Sequence, residues 1–217
     1  MKLKELNKIE KLIYFNKEQL KTIFPNSSEN SLKRNLYRWN KENKILSLKG
    51  GLYMTKNTFE RFGGDIPFRE YIASVIKNPS YLSLDYVLRK YEVLTEATYG
   101  FTSVTLKTGD TFTNSLGTFS YRKLKKELFI GYFSSYFADN EYFIATKAKA
   151  LFDWFYYKMP LLPGDLDKID LVEEFRLNLD SFTKEDWQEF ESYANLAKSS
   201  KLKNAVKNIV NNAPNNI

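Results

Sequence analysis

The 217-residue sequence contains neither cysteine nor histidine. Without cysteine there are no disulfides, thiolate metal sites or cysteine nucleophiles. Without histidine the commonest metal ligand and the usual general base near neutral pH are missing, which leaves carboxylates, Lys, Tyr, Ser and Thr for any chemistry. No apolar run approaches the roughly 18 residues of a membrane span, and Met1-Lys2-Leu3-Lys4-Glu5 lacks the apolar stretch of a secretion signal. A cytoplasmic chain without a membrane partner is expected. A glycine-rich phosphate loop, a Ser/His/Asp set and a nucleophile elbow are also lacking. These absences point away from an enzyme, and no cofactor or metal centre is expected.

Hydrophobic residues make up 43% of the chain and aromatics 16%, enough to bury real cores. Charge is divided unevenly. The first 61 residues hold 14 Lys+Arg against 6 Asp+Glu, whereas residues 62–217 hold 19 against 20. A basic block joined to a near-neutral, aromatic-rich remainder fits a nucleic-acid reader carrying a second domain. The expected division is a DNA-binding domain over 1–61 and an α+β effector domain over 65–217, with Gly63-Gly64 as a hinge.

In the basic block, Leu3, Leu6, Ile9 and Ile13 place an apolar stripe on a first helix ending near Tyr14. Asn16 with Gln19 three residues on makes a capping box for a second helix, which buries Leu20, Ile23 and Phe24 and stops at Pro25. After the turn Pro25-Asn26-Ser27-Ser28, a third helix runs from about Glu29 to Asn43. Leu32, Leu36 and Trp39 share its inner face, and Asn30, Lys33, Arg34, Tyr37, Arg38 and Lys41 share the opposite one. Two short strands, 44–48 and 52–54, then flank Lys49-Gly50-Gly51, where glycine permits a tight hairpin. Three helices followed by a hairpin is the order of a winged helix-turn-helix, whose third helix enters the major groove. Arg suits guanine and Asn adenine, while Lys and Tyr suit phosphates, with Lys49 at the hairpin tip as a further backbone contact. A charged surface helix is also common in modules that bind no DNA.

Residues 55–64 read as a short helical connector. Beyond Pro67, Phe68, Tyr71, Ile72, Val75 and Ile76 define a helix stopped by Asn78-Pro79, and a hydroxyl cap at Ser83 opens another that buries Leu84, Val87, Leu88 and Tyr91. Alternation over 101–106, 117–124, 128–133 and 142–144 predicts an antiparallel sheet, with a turn at Gly109-Asp110. A helix over 145–157 turns Ala148, Leu151, Phe152 and Phe155 inward and closes at Met159-Pro160. Thr183 with Asp186 starts a helix bearing Trp187, Phe190 and Ala194, and Leu202, Ala205, Val206, Ile209 and Val210 mark another. Residues 214–217 are expected to fray.

From about Tyr14 to Tyr157 the chain resembles the AbiEi-like antitoxins of bacterial abortive-infection, type IV toxin–antitoxin systems. The resemblance rests on Lys49-Gly50-Gly51-Leu52-Tyr53, Pro79-Ser80-Tyr81-Leu82-Ser83-Leu84, Phe101-Thr102-Ser103-Val104-Thr105, and the stretch from Ile144 to Asp153. The last is similar to the family's Ala-Thr-Pro-Glu-Lys-Ala-Leu-x-Asp helix start, with Lys147 and Ala148 in place of Pro and Glu. The resemblance implies a winged helix that represses its own operon at repeated elements in double-stranded promoter DNA. It also implies a C-terminal domain that counters a nucleotidyltransferase-like toxin without a stable complex, and makes Lys149 and Asp153 candidates for antitoxicity.

From the residues alone, Lys149 and Asp153 stand at i, i+4 spacing and read as a surface ion pair. The acidic set Asp165, Asp167, Lys168 and Asp170 after Pro163-Gly164 reads as an ordinary loop, with a Mg²⁺ nuclease site as the alternative. The aromatics of 132–137 read as cross-strand packing, with base stacking as the alternative. Besides the antitoxin, two further functions stay open: a DNA-binding regulator whose C-terminal domain binds a ligand or protein, and a metal-dependent nuclease.

Overall fold

A computed structural model describes residues 6–95, 100–162, 166 and 169–213. The fold is mixed α+β. Among the described residues no helix is long and apolar enough to cross a membrane.

The amino-terminal part begins with α1 (Leu6–Ile9), β1 (Phe15–Asn16), α2 (Lys17–Ile23) and α3 (Glu29–Lys41), followed by β2 (Ile45–Lys49), β3 (Leu52–Thr55) and α4 (Lys56–Phe62). Leu3 of the expected first stripe lies outside the described residues. The first helix stops after Ile9 instead of near Tyr14, because Phe15 and Asn16 are drawn into pairing with Tyr53 and Leu52. The β-favouring Tyr14-Phe15 pair overrides the helical period, and Phe15 stacks on Tyr53 at 5.9 Å. The Asn16/Gln19 capping box forms with both bonds at 2.9 Å. Gly51 supplies the positive φ that the β2–β3 turn requires.

The remainder comprises α5 (Ile66–Ile76), β4 (Ser80–Leu82), α6 (Leu84–Lys90), β5 (Phe101–Thr105), β6 (Asp110–Asn114), β7 (Gly117–Lys123), β8 (Tyr132–Phe137), β9 (Asn140–Ala145), α7 (Lys147–Lys158), α8 (Leu171–Glu174), α9 (Lys184–Leu196) and α10 (Ser200–Asn212). The sheet order is β6-β7-β5-β4-β9-β8. It is mixed, contrary to the expected antiparallel arrangement, since β5 with β7 and β4 with β9 run parallel. The β6–β7 hairpin brings β7 back beside β5 in the same direction, and strand alternation alone cannot reveal such a pairing. β6 begins at Asp110, read as the second residue of a turn, and takes up residues 111–114, for which the sequence suggested no strand, and β8 starts at Tyr132, a 3₁₀ turn at Lys126–Leu128 taking the place of the expected strand start. α5 lies across β4, β9 and β8, and α7 packs on α6 and α9.

Two hydrophobic clusters form. The smaller gathers Ile9, Phe15, Leu20, Phe24, Leu32, Leu36, Trp39 and Ile45. The larger holds the sheet and its helices together with Leu48, Leu52 and Met54 of the amino-terminal hairpin. Period-two alternation explains the sharing: on β3, Leu52 and Met54 turn to the large core while Tyr53 packs on the small one. Asn114 Nδ2 donates to the Leu48 carbonyl at 2.9 Å. The expected glycine hinge is braced: Gly63 ends α4, Arg69 Nε donates to its carbonyl at 2.6 Å, and Phe62 meets the Phe137 ring edge-on at 5.3 Å.

Since Met54 is fully buried in the larger cluster, Met54→Ala is expected to cost about 2–5 kcal/mol. Urea unfolding of the full chain, followed by tryptophan fluorescence and by circular dichroism, measures it. A loss well under 1 kcal/mol would show that the hairpin contributes little to the larger core.

Candidate functional site

The basic face of α3 is built by its opposite side. Ser28 caps the helix, its Oγ accepting from the Ser31 N–H at 3.2 Å, and Leu32, Leu36 and Trp39 sink into the small core. Helical geometry then turns Asn30, Lys33, Arg34, Tyr37, Arg38 and Lys41 outward, and all six are exposed, Tyr37 at 72%. Arg38 Nη2 reaches Asn35 Oδ1 at 3.3 Å, which steadies the guanidinium along the helix. The acids at the two ends of the face are neutralised in place. Glu29 pairs with Lys17 at 2.8 Å and Glu42 with Lys44 at 2.5 Å, and each hydrogen-bonded lysine holds its partner carboxyl below the ordinary value. The result is a ridge of one charge sign with an exposed aromatic at its centre.

Lys49 is placed differently from its expected position at an open hairpin tip. Its ammonium is half-buried and donates to the carbonyl of Ile76 at the end of α5. Burial, and then the charges of Lys107 and Lys77, push its pKa down. The hairpin leans on the large core, and its lysine satisfies an unpaired helix-end carbonyl there.

Lys149 and Asp153 do pair, at 2.6 Å, but both are at 0% exposure and not on the helix surface. α7 is capped by Thr146, whose Oγ1 accepts from the Lys149 N–H at 3.1 Å, and it is apolar around most of its circumference. The pair therefore sits between α7, the sheet and α9. Lys149 Nζ also donates to the Leu128 carbonyl at 2.7 Å and lies over the rings of Phe152 and Tyr193 at 4.8 and 5.0 Å. Asp153 Oδ2 accepts from Tyr81 OH at 2.9 Å and Ser83 Oγ at 2.8 Å. Ser83 thus spends its hydroxyl on Asp153, and the expected cap of α6 is not made. Burial pushes the Asp153 carboxyl up and the Lys149 ammonium down, while their mutual attraction opposes both shifts. A partner protein cannot touch either side chain in this fold.

Sequence reasoning did not find Tyr81 and Ser83 as partners of Asp153. The available signal was two hydroxyls flanking Leu82 in an otherwise apolar run. Asp165, Asp167 and Lys168 lie outside the described residues; Asp170 caps α8, accepting from the N–H groups of Val172 and Glu173 at 2.8 and 3.1 Å. Among the described residues no three candidate metal-ligating side chains come together. Of the aromatics in 132–137, Tyr132 stacks on Tyr81 and Phe137 on Tyr71, while Phe133 and Tyr136 are exposed. No protein-family model matches the chain, and no curated protein matches it either.

Removing one member of a desolvated pair strands the other charge, so Lys149→Met is expected to cost about 3–5 kcal/mol, with most of the loss recovered in Lys149→Met/Asp153→Leu. Chemical denaturation of the three proteins tests this. A double variant that loses the sum of two large single losses would contradict the coupling.

Proposed function

We propose that the chain is a DNA-binding autorepressor and antitoxin of the AbiEi-like type. In this reading the amino-terminal segment of about 61 residues is a winged helix-turn-helix, and residues 65–217 form the effector domain that counters a nucleotidyltransferase-like toxin. The observation that carries the proposal is the exposed, one-signed face of α3, supported by the order of three helices and a hairpin behind it. Arg34 and Arg38 are assigned to base edges with Asn30, and Lys33, Tyr37 and Lys41 to phosphates. Lys49, turned onto Ile76, is assigned to holding the hairpin. The antitoxin half rests on the resemblance between Ile144 and Asp153, and there the role of Lys149 and Asp153 is to seat α7.

Gel shifts on DNA upstream of the chain's own coding region test the DNA half. Binding should weaken with salt at a log–log slope of about −0.9 per phosphate neutralised. Arg34→Ala/Arg38→Ala should abolish specific retardation while leaving the melting temperature nearly unchanged, because neither side chain enters the core. If the double variant retards that DNA like wild type, α3 is not the reading element. Co-expression with the product of the adjacent gene tests the antitoxin half, growth rescue being the expected result.

A further inference from the structure

The larger sheet has a notch beside β4. That strand starts at Ser80 and meets the parallel β9 through Leu82 and Ile144, so β9, which starts at Asn140, runs on past the start of β4. A cavity of about 90 Å³ lies there, lined by Ser74, Ser80, Phe129, Tyr132, Glu141 and Phe143 among others. That is room for more than a single water and too little for a drug-sized ligand. We propose that it binds a compact alkylated ammonium ion, of which a trimethylammonium head is the simplest form. This goes beyond the DNA-binding reading and does not rest on it.

The rings are the first argument. Tyr132 lies 5.4 Å from Phe129 and 5.3 Å from Phe143, turned 63° and 65° to them, so rings in crossed orientations border one space. A flat ligand stacks between parallel walls, whereas a round cation is drawn into an aromatic corner by the ring quadrupoles. The corner is stiff. Tyr132 stacks at 4.7 Å on Tyr81, whose hydroxyl is tied to Asp153 at 2.9 Å, so little side-chain freedom remains to be lost on binding.

Polarity is the second argument, and it selects a cation over a neutral apolar body. Glu141 brings a carboxylate to the lining. Ser134 Oγ and Tyr136 OH donate to its Oε1 at 2.6 and 3.3 Å, which orients the group and, among the described contacts, leaves the lone pairs of Oε2 to a ligand. Ser74 and Ser80 spend their hydroxyl protons on the carbonyls of Tyr71 and Lys77 at 2.7 and 2.5 Å, so each can only accept from what enters the cavity. A carboxylate, two accepting hydroxyls and three rings are all electron-rich. The methyl groups of an alkylated ammonium carry positive charge and also fit the rings, where a bare ammonium would lose water without replacing it.

Isothermal titration of the full chain with choline and with dimethylbutanol, its uncharged carbon isostere, tests the proposal; an excess of potassium chloride competes for the carboxylate alone. One choline per chain is expected, with the alcohol bound at least about tenfold more weakly. Glu141→Gln and Phe143→Leu should each weaken choline about tenfold, and Lys207→Gln on the exposed face of α10 should leave it unchanged. Circular dichroism checks each fold. If Phe143→Leu does not fold, Glu141→Gln, at an exposed side chain, carries the same expectation. Absence of saturable choline binding, the alcohol binding as tightly as choline, or a folded Glu141→Gln or Phe143→Leu protein with wild-type affinity would each overturn the proposal, whatever the outcome on promoter DNA.

Discussion

The Lys149–Asp153 pair is the constraint around which the larger half of the molecule is arranged. It joins α7 to β4 through Tyr81, to the start of α6 through Ser83, and to the segment before β8 through the Leu128 carbonyl. Space around it is tight: a Cβ on Gly131, whose φ is +77°, would collide with the Tyr193 hydroxyl and meet Lys149 Cγ at 3.1 Å. Two charges taken wholly out of water gain stability only when every remaining donor and acceptor is met, and here three donors converge on the carboxylate. Such a set tolerates one placement of α7 against the sheet and penalises sliding by a turn. The helices α6 and α9, which pack on α7, inherit that placement.

At the other end of the chain the organising element is the β2–β3 hairpin. Its two faces belong to different cores, so α3 is anchored to a wall that the sheet domain also uses. Lys49, Asn114 and Arg69 close backbone carbonyls along the same seam. The basic face of α3 is thereby carried on a base that extends into the larger core. Charge divides the chain near residue 61, but hydrophobic burial does not follow the same line.

Local chemistry was legible in the sequence wherever one element decided the outcome. The Asn16/Gln19 and Thr183/Asp186 capping boxes form as read, and the inner faces of α3, α9 and α10 are buried as their periodicity requires. What escaped depends on partners distant in the chain. β4 is three residues long and offers no alternation to count, yet it lies between β5 and β9. Lys149 and Asp153 have spacing that a surface pair and a buried pair share, and only the neighbours brought by β4 and α9 decide which it is.

The placement of β4 has a consequence for synthesis. Leaving the ribosome, the strand finds β5 soon afterwards in an antiparallel pairing, but its other edge waits for Ile144 of β9 to pair with Leu82. Until then an unpaired edge stands next to Tyr81 and Ser83 while Asp153, their only carboxylate among the described contacts, is still untranslated. Closing contacts so far apart in the chain is slow, and half-built sheets expose sticky edges. The central strand of this sheet is thus completed last on one side, and the hydroxyls of Tyr81 and Ser83 gain their carboxylate only when α7 has docked.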